Sequence, residues 1–330
     1  MMAALAVVVV EYCVALAIGF SVGFRYALPT KSYAIVTATI AASVLTLVLL
    51  GRLAHYGLNK EPHPARRLFA DAQLHAPWLI STCCAFLLVG LQIGALTWLK
   101  IMLPIAQGFW ADPLLADTEK MLLGRDAWVI THALFGWATP WIDRIYVTWM
   151  PVKLVTLILV ILAPLSVRRA RALLSYFIVM AMGSLGQHLL PSGGPVFYER
   201  LGMGNRFADL PIEPWVATAR DYLWADYIRP HGEIGAGISA MPSMHVAIAL
   251  WVALVLRSYS GRLQWVGWIW FVTIFIGSVH LGWHYALDSI AAIAIALIGF
   301  QLAELVVNRS NSGVKSHSVS ADRTPAPLIE

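Results

Sequence analysis

Apolar residues in this chain run in long blocks, without the strict alternation of a half-buried strand. Eight blocks stand out, at about 3–23, 33–51, 78–99, 145–165, 172–190, 242–257, 264–282 and 285–307. A helix needs roughly 20 mostly apolar residues to cross the hydrocarbon layer of a bilayer. The blocks therefore predict an all-α fold, a polytopic membrane helical bundle of about eight transmembrane helices. The first block carries Glu11 and has no basic stretch ahead of it, which favours a span over a cleaved leader. The 242–257 block is short and opens on Pro242, so its start is expected at the membrane surface, where irregular backbone is tolerated if it lines a cavity. The 113–140 stretch mixes Trp128 and Trp137, with Trp141 just beyond, among charges. It is predicted to lie as an amphipathic helix in the outer interface, the depth that tryptophan prefers.

Composition agrees with this pattern. The chain is 59% hydrophobic and 12% charged, with a mean hydropathy of +0.71, whereas soluble domains are about 45–50% apolar and about 25% charged. That balance excludes a soluble globular enzyme, a disordered chain and a nucleic-acid binder. The net charge of +5 reads as an orientation signal rather than as affinity for a polyanion. Arg168, Arg169 and Arg171, the pair Arg257 and Arg262, the 51–77 loop with Arg52, Lys60, Arg66 and Arg67, and the tail with Arg309, Lys315 and Arg323 all fall on one side of an eight-span chain. That side is expected to be cytoplasmic, with both termini inside and the long loops 100–144 and 191–241 outside. Short hydrophilic loops suit a bacterial inner (cell) membrane. Residues 309–330 are polar and pattern-free, and are predicted to be a disordered cytoplasmic tail. Cys13, Cys83 and Cys84 sit inside apolar runs, as buried hydrophobes rather than disulfide partners or metal ligands.

Intramembrane ionisable groups are costly, so their positions carry weight. His188, His245, His280, His284 and Asp288 all fall at the outer ends of spans. Met241-Pro242-Ser243-Met244-His245 opens the sixth span after a glycine-rich lead-in, Gly235-Ala236-Gly237. Ser243 can cap that helix, whose positive end suits an anion such as phosphate. His284 and Asp288 stand at i, i+4, within reach of each other. A carboxylate on one imidazole nitrogen makes the other a better nucleophile or base. Taken alone, the two motifs also read as a capped helix and a self-satisfying His–Asp pair. The segment Pro191-Ser192-Gly193-Gly194-Pro195, followed by Arg200, lets backbone approach a ligand and offers a planar fork for phosphate. By itself it is equally a Pro/Gly-rich turn.

Pro242-Ser243-x-His245, with His284-x-x-x-Asp288 about forty residues on, resembles the second and third motifs of the type-2 phosphatidic acid phosphatase superfamily. The glycine-rich lead-in and the His284-Tyr285-x-x-Asp288 form are most similar to the branch containing inositol phosphorylceramide synthase. The resemblance implies a six-helix phosphatase-type core within residues 76–308, preceded by two extra helices and a loop in 1–75. It implies that His284 is the nucleophile forming a phosphohistidine, Asp288 its orienter, His245 the acid for the leaving group and Ser243 a phosphate contact. It implies a lipid phosphotransferase or lipid phosphate phosphatase acting on a phospholipid or other lipid phosphate, with no cofactor and no metal. The family's first motif, Lys-x6-Arg-Pro, is absent: Arg229-Pro230 exists, but Tyr222 stands where the lysine belongs. Arg200 and Gly194 are taken as the substitute phosphate site, with Arg206 and Arg229 as rivals and His280 as a replacement cation. Two other classes remain: a haem protein with axial histidines, which a Soret band would reveal, and a transporter or lipid-binding protein using the His–Asp pair as a proton relay, which catalytic turnover would exclude.

Overall fold

A computed structural model describes residues 1–23, 30–229 and 235–321, with side chains through 310. Every regular element among the described residues is helical. The N-terminal part comprises α1 (Met2–Ser21), α2 (Thr30–Leu58), the short α3 (Pro64–Leu74) and α4 (Ala76–Ala106). After α5 (Ala111–Leu123), α6 (Ala127–Phe135) and α7 (Thr139–Val147) come α8 (Trp149–Leu162) and α9 (Val167–Gly186). The chain closes with α10 (Pro214–Ile228), α11 (Met244–Tyr259), α12 (Leu263–His280) and α13 (Ala286–Ala321).

Each of the eight expected blocks lies in helix. Among the described residues six helical stretches are long and apolar enough to cross a membrane, which makes this an integral membrane protein with the expected helical bundle. The two blocks outside that set have local reasons. Helix α11 has only 16 residues, and α9 opens on three arginines. Of these, Arg169 is not a loop charge but is buried, donating to the Ile161 carbonyl and to Ser81 and Thr82, and so stitches α4, α8 and α9 together. Helix α11 is the axis of the bundle: every residue from Val246 to Ala253 is buried, against α8, α9, α12 and α13. A helix apolar on all sides belongs in such a position. Helix α1 is tied in by Glu11, which is fully buried and accepts from Gln92 at 2.7 Å and Ser184 at 2.5 Å. Helix α2 packs on α4 and buries only Tyr33 and Thr37, leaving its apolar flank to lipid.

One expectation differs from the structure. The 113–140 stretch is not one lying helix but α5 and α6, parted where Gly124 adopts φ +78°, the left-handed conformation that ends helices. Helix α13 runs on to Ala321. No proline interrupts it, and extending a formed helix avoids the cost of nucleation. Residues 322–330 lie outside the described residues, as does Pro230.

Candidate active site

The N-terminus of α11 and the turn between α12 and α13 meet at one end of the bundle. Ser243 is the N-cap of α11: its hydroxyl accepts from the Val246 N–H at 3.4 Å, and its own N–H donates to the Asp288 carbonyl at 3.1 Å. Two motifs forty residues apart are thereby joined backbone to backbone. Helix α12 stops at His280, and Gly282 turns the chain at φ +73°. A side chain there would meet Leu210 at 2.2 Å. His284 then reaches into the end of the bundle and is 4% exposed.

The imidazole of His284 is held from both sides. Its Nδ1 lies 2.9 Å from the Ala240 carbonyl oxygen and 3.6 Å from Asp288 Oδ2. A backbone carbonyl only accepts, so Nδ1 carries the proton and Nε2 keeps its lone pair. That Nε2 faces His245 Nδ1 at 3.5 Å. The His245 ring is stacked on Tyr146, with centroids 5.0 Å apart, and lies 4.4 Å from the Trp149 ring, whose indole N–H donates to the His245 carbonyl at 3.0 Å. The arrangement is an imidazole with a fixed tautomer beside a second imidazole whose ring plane is clamped by aromatics.

Asp288 is fully buried, as the orienter role requires, but its contact with His284 is longer than a hydrogen bond. Its Oδ2 accepts from the Tyr285 N–H at 2.9 Å, and Oδ1 has no partner. The Ala240 carbonyl, which no side-chain motif announces, makes the closer contact. Asp288→Asn is therefore expected to cost about ten- to a hundredfold in kcat, the usual effect of a residue supporting a ligand or nucleophile. The loss of about 10⁴ that follows when a carboxylate alone sets a catalytic tautomer is not expected, because Ala240 still holds Nδ1–H. Steady-state kinetics of the variant check this.

The expected phosphate contacts fare differently. Gly194 adopts φ +91°, and a Cβ there would meet the Trp283 carbonyl oxygen at 2.4 Å, so glycine is required for close approach. Its N–H and that of Gly193 donate to the buried Asp112 at 2.8 and 2.7 Å, rather than toward a ligand. Asp112, whose carboxyl burial raises to about pKa 6, also accepts from the Tyr285 hydroxyl at 2.8 Å. On the same helix face Glu119 accepts from the N–H groups of Ala127 and Ala286. Helix α5 thus splints the site, a role visible in the sequence only as two acids seven residues apart.

His280 is fully buried, stacked on His132 at 3.8 Å and bonded to Thr139 at 2.8 Å, and among the described residues it makes no contact with His284 or His245. Arg200 is paired with Asp221 at 2.7 Å and packs over Trp224. Arg206 is held by Asp117, Asp126 and the Ala116 carbonyl. Both guanidinium groups already have their carboxylates. Arg200→Ala is accordingly expected to leave kcat/KM within about twofold of the parent, as the loss of a largely exposed ion pair does. A hundredfold drop would return Arg200 to the site.

A model of the PAP2 superfamily matches residues 117–302, more than half of the chain. No curated protein and no solved structure matches. The matched stretch runs from α5 into α13 and contains Ser243, His245, His284 and Asp288; α1, α2 and α4 precede it.

Proposed function

The chain belongs to the PAP2 superfamily, and from that premise we propose that it is a lipid phosphotransferase or lipid phosphate phosphatase working through a phosphohistidine at His284. The observation that carries the reading is the polarity of His284, with Nδ1–H on the Ala240 carbonyl and a free Nε2 facing His245. In the first step Nε2 attacks phosphorus, the bond from phosphorus to the lipid oxygen breaks, and His245 protonates that oxygen. In the second step His245 takes the proton of water or an alcohol, whose oxygen attacks phosphorus and releases His284. Asp288 stabilises the charge that His284 gains on bonding to phosphorus. The chemistry needs no metal.

The resemblance of His284-Tyr285-x-x-Asp288 and of the glycine-rich lead-in to the inositol phosphorylceramide synthase branch favours an alcohol as acceptor, hence transfer of a phosphorylated headgroup between lipids. The arginine-rich loops support a reading with the termini in the cytoplasm and the site at the outer leaflet of a bacterial inner membrane. The test is incubation of purified protein in lipid nanodiscs with labelled phospholipids, with and without inositol or diacylglycerol. Released inorganic phosphate identifies a phosphatase and a new labelled lipid a transferase. Absence of both across the panel overturns the reading. Sealed right-side-out vesicles that act on outer-leaflet substrate support the orientation, and activity confined to inverted vesicles reverses it.

A further inference from the structure

The family's usual cationic motif is missing, and two of the arginines that resembled substitutes, Arg200 and Arg206, are occupied. Two lysines, in contrast, stand at the same end of the bundle with no salt bridge to any carboxylate among the described residues. Lys153, in the first turn of α8, is 5% exposed. Its ammonium lies 4.4 Å above the Trp149 ring, and that ring lies 4.4 Å from His245. Lys100, near the end of α4, backs onto the glycine-rich segment: a Cβ on Gly237 would meet Lys100 Cβ at 2.7 Å. Three residues on, Ala240 holds His284. Lys100 also lines a cavity of about 310 Å³ with Pro104, Asp226, Tyr227 and Gly237.

Lys153 thus reaches His245 through the Trp149 ring they share, and Lys100 reaches His284 through the Gly237–Ala240 segment. The indole face compensates Lys153 only in part. Two neighbouring cations among apolar helices destabilise the bundle unless an anion joins them. We infer that Lys100 and Lys153 form the cradle for the phosphate anion, Lys153 from the Trp149 side of His245 and Lys100 from behind the segment that holds His284, in place of the missing Lys-x6-Arg-Pro motif. The inference rests on the phosphate chemistry proposed above and assigns its binding residues. Lys100 lies before the stretch that the superfamily model matches, so the cradle would draw on α4 as well as on the matched helices.

The test is binding of inorganic phosphate to the purified protein in nanodiscs, by calorimetry, for the parent, Lys100→Met, Lys153→Met, the two Lys→Arg variants and His284→Ala. The parent is expected to bind. Each Met variant should bind about ten- to a hundredfold more weakly, as loss of a charge-assisted hydrogen bond implies, while the Arg variants and His284→Ala keep most of the affinity. Without phosphate, Lys153→Met should unfold at a higher temperature than the parent, because an uncompensated buried charge has been removed. Should a Met variant fail to insert, Lys→Gln gives the same readout. No phosphate binding by the parent, or Met variants within twofold of it, overturns the cradle. Turnover of lipid phosphate by the parent is measured in parallel. Turnover undiminished in both Met variants removes the cradle and leaves the proposed reaction standing. Phosphate binding that needs both lysines, with no turnover on any lipid, removes the reaction and leaves the cradle.

Discussion

His284→Ala is expected to abolish turnover of lipid phosphates in protein that still inserts and folds. The nucleophile's contribution is chemical: without Nε2 there is no atom to form the covalent bond, and loss of a covalent nucleophile in other enzymes costs about 10⁶ in kcat. Its contribution to folding is small by comparison. The deleted ring leaves the Ala240 carbonyl without its 2.9 Å donor, a penalty of about 1–3 kcal/mol for a buried acceptor. Measured kcat should fall to background while the gel-filtration profile in detergent stays that of the parent. Any residual rate should also lose its acceptor dependence, because the shared intermediate is what lets water and alcohols compete.

The second large effect belongs to His245. Its Nδ1 faces the nucleophile at 3.5 Å, and Tyr146 and Trp149 hold its ring plane. A general acid positioned in this way is worth about 10²–10⁴. His245→Gln, which keeps a polar side chain at the start of α11, should lower kcat on natural lipid phosphates by that range. The deficit should shrink on p-nitrophenyl phosphate, whose leaving group departs without protonation. That difference separates the chemistry from a packing defect, since damaged packing lowers both rates alike. Equal losses on the two substrates would move the acid role away from His245.

The bundle was legible because hydropathy is a local property of each helix, and blocks of about twenty apolar residues have few other stable fates in a membrane. His245, His284, Ser243 and Asp288 were legible for a similar reason: each motif is a short run on one helix end. Pairing across the fold was not. Arg200 sits beside a Gly-Pro turn in sequence, yet its partner is Asp221 in α10. His280, four residues before His284, is carried away by the turn at Gly282 to stack on His132. The Gly194 backbone that looked free for a ligand is taken by Asp112, 82 residues away. The Ala240 carbonyl could not be found by residue type at all. Lys100 and Lys153 are hidden in the sequence for the opposite reason. Lys153 lies inside an apolar block and Lys100 at the edge of one, where a single charge reads as an interruption or an end of a span, and only the packing of α4 against α8 brings the two helices together. An ionisable residue inside a span is itself a functional signal, and the same weight given to the histidines would have reached both lysines.

The central claim is a covalent phosphoryl bond to His284. It is tested most directly by rapid quenching of the parent with a substrate lipid radiolabelled at phosphorus, followed by peptide mapping under alkaline conditions. One acid-labile, alkali-stable label is expected, on the peptide containing His284, present in the parent quenched during turnover and absent from His284→Ala. A label on another residue, or steady turnover by the His284→Ala protein, would contradict it.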